Sequence, residues 1–145
     1  MLVRLVYASR ASEAISDELL DAILDTSRSK NPEHGVTGIL CVCPEQSVFL
    51  QALEGSRVEV NNLYNNIVAD PRHEEVTLLS YHEIEQRRFA SWRMGRVDIR
   101  KINPAMILRY SERPVLDPFS MTAHGAMAFL EELADTAAIG SRERS

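Results

Sequence analysis

Two polar side chains lie on strand faces that are otherwise apolar, and they are the residues best placed for chemistry. Gln51 falls in the strand-like segment 47–55, where alternation places it on one face with Phe49 and Leu53. Tyr7 falls in the same way at the end of the apolar row of the first strand. Buried amide and phenol groups need hydrogen-bond partners. For Gln51 those partners are either neighbouring backbone groups or a ligand.

A third polar residue, Asn31, is expected at the exit of the first helix, just before a proline. Asparagine at such a position is commonly a turn former. Taken together, however, Tyr7, Gln51 and Asn31 fit one ligand held between two helices. A flat heteroaromatic ring would lie between Ile23 and Ile67, with Asn31 and Gln51 bonded to its edge.

The elements that position these residues follow from hydrophobic periodicity. The alternation of apolar residues predicts strands over 2–8, 35–43, 47–55, 76–84 and 92–99. Ser16 and Ser56 are cap residues, each opening an amphipathic helix. The order βαββαββ predicts an α+β, ferredoxin-like sandwich whose mixed sheet has about five strands and carries two helices on one face.

The opposite face of this sheet is also apolar, because Val48, Leu50 and Ala52 alternate with Gln51. Something must cover it. Helix start signals at Asn103 and at Ser120 or Thr122 predict C-terminal helices that pack on this face. We therefore expect a domain over 1–100, a helical extension over 101–139 and a flexible tail over 140–145.

Composition limits the classes of function. The chain has 145 residues and a net charge of −5, which fits one domain and argues against binding to nucleic acid or to an acidic membrane. No segment has the length of a membrane span or the pattern of a signal peptide. Cys41 and Cys43 are expected as buried small residues in a reducing cytoplasm, so the predicted localisation is cytoplasmic.

Familiar catalytic and metal-binding patterns are missing from the sequence. It contains no phosphate-binding glycine loop and no nucleophile elbow. The four histidines lack metal-ligand spacing; they are His34, His73, His82 and His124. We therefore predict that the protein is not an enzyme and has no metal site.

Several separated motifs resemble those of the BLUF domains, which sense blue light with a flavin. They are LVYAS at 5–9, Asn31 before GVTG at 35–38, FLQALEG at 49–55, DPRH at 70–73 and RFASWRM at 88–94. The resemblance covers residues 1 to about 100. The C-terminal segment resembles that of short, stand-alone members of the family.

This resemblance implies a non-covalently bound FAD whose ring lies between the two helices. Tyr7 would donate an electron and a proton, and Gln51 would relay hydrogen bonds and reorganise after light. A neutral amide suits this role because it can exchange its donor and acceptor ends. Asn31 would hold the pyrimidine edge, and Ile23, Ser27 and Ile67 would complete the ring site. Ser9, Trp92 and Met94 would pass the change onward, with Trp92 and Met94 on one face of the fifth strand.

One position departs from the family pattern. Relatives often carry a basic residue or histidine where this chain has Asn66, which donates a hydrogen bond but has no charge. Lys30 and Arg72 would then supply positive charge to the phosphates. FMN and riboflavin therefore stay open beside FAD.

The resemblance makes a blue-light receptor that signals to a partner protein the leading hypothesis, and exposed apolar surface on the added helices would favour a homo-oligomer. The alternative is a light-insensitive, ferredoxin-like interaction or oligomerisation module. It gives no reason for Tyr7, Asn31 and Gln51 to occur together. An acyl-phosphate hydrolase on the same fold would need an anion-binding loop, which we do not find in the sequence.

Overall fold

The alternation of apolar side chains along the strands produces one six-stranded sheet. In the computed structural model, which describes residues 1–27, 35–136 and 139–141, the strands lie in the order β4-β1-β3-β2-β5-β6. They are β1 (Leu2–Ala11), β2 (Thr37–Cys43), β3 (Val48–Ser56), β4 (His73–Ile84), β5 (Gly95–Asp98) and β6 (Ile139–Ser141). Neighbours are antiparallel except β2 and β5, which are parallel. The predicted mixed sheet is confirmed.

Four α-helices occur in the described part of the chain: α1 (Asp17–Ser27), α2 (Arg57–Ala69), α3 (Pro104–Leu108) and α4 (Ala123–Ala134). The predicted caps are present: the side chains of Ser56, Asn103 and Thr122 accept backbone N–H groups at the starts of α2, α3 and α4. The predicted end of α1 near Asn31 lies outside the described residues. No helix in the described ranges is long and apolar enough to cross a membrane.

Two buried clusters lie on opposite faces of the sheet. The helix-side core is formed with α1 and α2; its members include Val3, Leu5, Tyr7, Ile23, Phe49, Leu53, Val60, Ile67 and Met94. The back core is formed with α3 and α4; its members include Val6, Cys41, Leu50, Ala52, Phe89, Trp92, Ile107, Phe129 and Leu130. The C-terminal helices thus cover the face that the sequence left apolar. Cys41 and Cys43 are free, buried thiols, as expected.

Several boundaries differ from the sequence prediction, among them the end of β1, which lies at Ala11 rather than at residue 8. The fourth strand begins at His73 rather than at residue 76, because a bulge lets pairing with β1 continue. Residues Ile139–Ser141 form β6 against β5, so the tail predicted from 140 onward is wrong at least as far as Ser141. The fifth strand is only Gly95–Asp98, which leaves the segment before it as a loop.

That loop corrects the prediction for Trp92 and Met94. Strand alternation placed both side chains on one face, but neither residue is in a strand. Trp92 packs in the back core and Met94 in the helix-side core. The loop therefore places the Trp92 side chain on one face of the sheet and the Met94 side chain on the other.

Candidate functional site

Tyr7 and Gln51 meet at the centre of the sheet. They are register partners in the β1–β3 pair, and both are fully buried. Antiparallel pairing sends the two side chains to the same face, where the Tyr7 hydroxyl donates to Gln51 Oε1. Burial raises the pKa of Tyr7 far above its ordinary value, so the phenol keeps its proton.

The amide nitrogen of Gln51 is bonded to two further side chains. Gln51 Nε2 donates to Ser27 Oγ at 3.3 Å and to Met94 Sδ at 3.1 Å. Ser27 ends the described part of α1 and is itself buried. The partners of the amide are therefore side chains. The first of the two alternatives for this residue, bonding to neighbouring backbone groups, is not what these contacts show.

This set of contacts distinguishes the two orientations of the amide. A thioether accepts weakly and has no proton to give. If the amide turned by 180°, Gln51 Oε1 would face Met94 Sδ and no hydrogen bond could form there. Ser27 Oγ could serve either orientation, because a hydroxyl both donates and accepts. The Met94 sulfur is therefore the contact that favours the present orientation of the Gln51 amide.

The surroundings of this pair come from both helices. Ile23 of α1 and Ile67 of α2 are buried in the same core, and the Tyr64 ring lies 5.7 Å from the Tyr7 ring between centroids. The polar group of Ser27 is also on this side. Two branched apolar side chains beside an amide and a phenol fit a flat aromatic ring that carries hydrogen-bonding atoms at its edge.

Four further residues were expected to bind the cofactor. Arg72 and Asn66 lie at or just after the end of α2, and Lys30 and Asn31 fall in the part of the chain that the structure does not describe. Arg72 follows α2 and donates through Nη2 to Thr26 Oγ1 at 2.9 Å, while its Nε donates to Asp70 Oδ1 at 2.9 Å. The bond from Arg72 lowers the pKa of Asp70, and the bond to Thr26 ties the segment after α2 to α1. Asn66 is exposed on α2.

Ser9 does not contribute to the Gln51 bonds described above. Its hydroxyl is hydrogen-bonded to His73 Nδ1 at 2.9 Å, and both residues are buried. Sequence reasoning treated His73 as one of four scattered histidines. Its place in the DPRH motif, directly before a predicted strand, was the available signal.

Glu54 is a second residue that sequence reasoning missed. Its buried carboxylate accepts from Arg4 Nε at 2.8 Å and from the backbone N–H groups of Arg88 and Phe89 at 3.0 and 2.7 Å. The Arg88 side chain continues to Glu131 and Asp135 of the α4 end. A carboxylate on the otherwise apolar Leu50–Ala52 face was the signal. Glu54 fixes the loop that carries Met94.

These features define an α+β sandwich with a buried tyrosine–glutamine pair beneath two helices. The family model described as "Sensors of blue-light using FAD" matches residues 2–95. The chain belongs to the BLUF family.

Solved structures of two family proteins match over nearly their full length. The photo-activated state of BlsA has a TM-score of 0.82 at 30% identity, with 97% of this chain and 100% of that chain covered. The dark state of BlrB, a BLUF protein, has a TM-score of 0.74 at 30% identity, covering 92% and 95%. Both alignments extend past residue 95, so the C-terminal helices share this similarity.

Curated relatives match over a smaller part of their length. The photoactivated adenylate cyclase subunit beta of Euglena gracilis is 36% identical over 90 residues, which are 62% of this chain and 10% of that protein. The blue light- and temperature-regulated antirepressor BluF of Escherichia coli is 31% identical over 100 residues, covering 69% and 24%. The chain thus spans less than a quarter of the length of these curated relatives.

Proposed function

We propose that this protein is a blue-light receptor in which Tyr7 and Gln51 respond to light absorbed by a bound FAD. The observation that carries the proposal is the buried hydrogen bond from the Tyr7 hydroxyl to Gln51 Oε1, continued by Gln51 Nε2 to Met94 and Ser27. The light-insensitive module gives no reason for a buried phenol and a buried amide to be bonded to each other in this position.

The residues present fit a flavin. Ile23 and Ile67 would hold the faces of its ring, and the N–H of Gln51 that now rests on a weak thioether acceptor could turn to a ring carbonyl. Asn31 is proposed for the pyrimidine edge, and Ser27, Asn66, Lys30 and Arg72 for the polar remainder. When bound, the flavin supplies absorption of blue light and an excited state that takes up an electron.

Tyr7 is the electron donor in this proposal. Its pKa, raised by burial, means that it holds a proton at Oη until it is oxidised. Loss of an electron makes a phenol strongly acidic, and the adjacent Gln51 Oε1 is then the acceptor along the existing hydrogen bond. Return of the electron and the proton restores Tyr7, so no net chemistry remains and the protein does not act as an enzyme.

Reorganisation of Gln51 would be passed on through Met94. A turned or tautomeric amide no longer donates to Met94 Sδ, and the loop of Met94 is tied through Phe89 and Arg88 to Glu54 and α4. We propose that residues 1–100 sense light and that the extension over 101–139 presents the change to a partner protein. Leu108, exposed on α3, belongs to the apolar surface proposed for self-association.

The test is an absorption spectrum of the purified protein in the dark and under blue light. A yellow protein whose flavin bands shift slightly to the red and recover in darkness supports the proposal. Tyr7→Phe should keep the flavin and lose the shift, whereas Tyr81→Phe on exposed β4 should behave as wild type. Gln51→Leu should lose the normal shift and Gln86→Leu should not. A protein that stays colourless after incubation with FAD would favour the light-insensitive module.

A further inference from the structure

His73 lies against the Tyr7 ring. Its imidazole centroid is 6.4 Å from that of Tyr7, with the rings nearly perpendicular at 73°, and 5.3 Å from that of Phe49. Ser9, two residues after Tyr7 on the same strand face, holds Nδ1 at 2.9 Å. The imidazole is thus fixed by a hydrogen bond and by two aromatic contacts.

The backbone that delivers His73 is strained. Ala8 pairs with Thr77 and Arg10 with Glu74, so Glu75 and the next residue of β4 stand opposite Ser9 alone. Glu75 has φ of 50°, a left-handed conformation that usually falls to glycine in such bulges. Strain of this kind persists where the surrounding structure requires a particular placement. Here the bulge allows the His73 side chain to reach Ser9 on the helix side of the sheet.

The charged groups near His73 come from the turn before β4 and from the neighbouring strand. Asp70 and Arg72 precede it and are paired with each other. Arg10 and Glu75 form a pair on the exposed side of the bulge. Burial lowers the pKa of His73; Arg72 adds to this effect and Asp70 opposes it. The neutral imidazole is therefore favoured at neutral pH.

We propose that the charge state of His73, whose imidazole Ser9 fixes beside Tyr7, sets how readily Tyr7 gives up an electron. The inference rests on the proposed function and adds its dependence on protons. In that function an electron would leave Tyr7 for the flavin, the Oη proton would move along the existing hydrogen bond to Gln51 Oε1, and both would return in the dark. A positive charge at 6.4 Å from the ring opposes the first of these steps.

The expected dependence on pH follows directly. The ordinary pKa of histidine is 6.5, and the pKa of His73 in the folded protein is lowered from it. Protonation of His73 therefore requires a pH below 6.5. Above that range the imidazole is neutral and the light response is full. As the pH falls through the pKa of His73, the yield of the red-shifted state per absorbed photon should fall about tenfold or more.

The experiment measures that yield between about pH 5 and pH 8 on the full chain with FAD bound. Wild type should lose yield on acidification, and His73→Gln should give a flat profile at high yield. His82→Gln is the matched control, since His82 is exposed on β4. The midpoint of the wild-type profile should coincide with the titration of His73 followed by imidazole NMR in protein without flavin.

That last comparison needs no variant, so it stands even if His73→Gln fails to fold. A wild-type yield that does not change with pH, or that changes with a midpoint unlike that of His73, would overturn the inference. So would an unchanged profile in His73→Gln. If Tyr7→Phe also retained its light response, the proposed function itself would fail, whereas loss of response in Tyr7→Phe confines the failure to His73.

Discussion

At the scale of single residues, the site depends on an amide with two unequal sides. Gln51 Oε1 accepts a hydrogen bond from a phenol, and Nε2 donates to a hydroxyl and to a thioether. A hydroxyl such as that of Ser27 can accept from the N–H end of an amide or donate to its carbonyl end, whereas the sulfur of Met94 can only accept. The balance between the two orientations therefore rests on Met94.

Met94→Leu tests this point. Leucine has similar volume and no acceptor, so the fold should lose less than about 1.5 kcal/mol, while the preference for the present amide orientation weakens. We expect a smaller difference between the dark and lit absorption maxima in the flavin-loaded variant. Met127→Leu, half-buried at the back core, is the control. A full-sized red shift in Met94→Leu would show that the sulfur does not bias the amide.

Glu54 is a second buried polar side chain whose hydrogen bonds are all made within the protein, and its role is structural. Its fully buried carboxylate satisfies the guanidinium of Arg4 and two backbone N–H groups of the loop. Glu54→Ala leaves these donors without their acceptor, and we expect a loss of about 3–5 kcal/mol in the free energy of unfolding. Glu83→Ala removes a surface pair with Arg57 and should cost less than about 1 kcal/mol. Urea unfolding measures both, and similar losses would contradict the burial argument.

At the scale of elements, the close approach of β2 and β3 depends on Gly38. A Cβ at this position would stand 2.0 Å from the carbonyl oxygen of Ala52, and the Gly38 N–H donates to Trp92 O at 3.1 Å. Gly38→Ala must therefore push the strands apart, and we expect a destabilisation of about 3 kcal/mol. At Gly55 the nearest atom would lie at 3.4 Å, so Gly55→Ala should change stability little. Equal thermal midpoints for the two variants would contradict this account.

The elements also show what a sequence pattern can and cannot predict. Alternation correctly grouped Tyr7 with an apolar row of β1 and Gln51 with an apolar row of β3, because both strands are regular there, and the pairing of the strands brings the two rows onto one face. The same rule failed for Trp92 and Met94, since it holds only inside a strand and β5 begins at Gly95. It also could not show that Ser9 reaches His73, because this contact depends on a bulge between strands 64 residues apart in the chain.

At the scale of the whole molecule, the two-sided core was the predictable part. A central strand that is apolar on both faces requires two covering layers, and the C-terminal helices were the only remaining candidates in the sequence. The hydrogen bond from the Arg88 backbone to Glu54, and the ion pairs of the Arg88 side chain at the end of α4, were not predictable. They join residues from three distant parts of the chain through polar contacts that leave no periodic signal.

The change in stability on acidification is the sum of contributions from several titrating groups, and its direction follows from their pKa shifts. His73 has a lowered pKa in the folded protein, so below about pH 6.5 the unfolded chain binds a proton that the folded one does not, and stability falls. Asp70 and Asp98 have lowered pKa values because Arg72 and Arg100 donate to them; their contribution is full above about 3.8 and is lost as the pH falls through the folded pKa. Acid should therefore destabilise the protein in two stages. Urea midpoints measured from pH 8 to pH 3 should show the first stage in wild type and lack it in His73→Gln. A wild-type curve that is level down to pH 5 would mean that His73 titrates alike in both states.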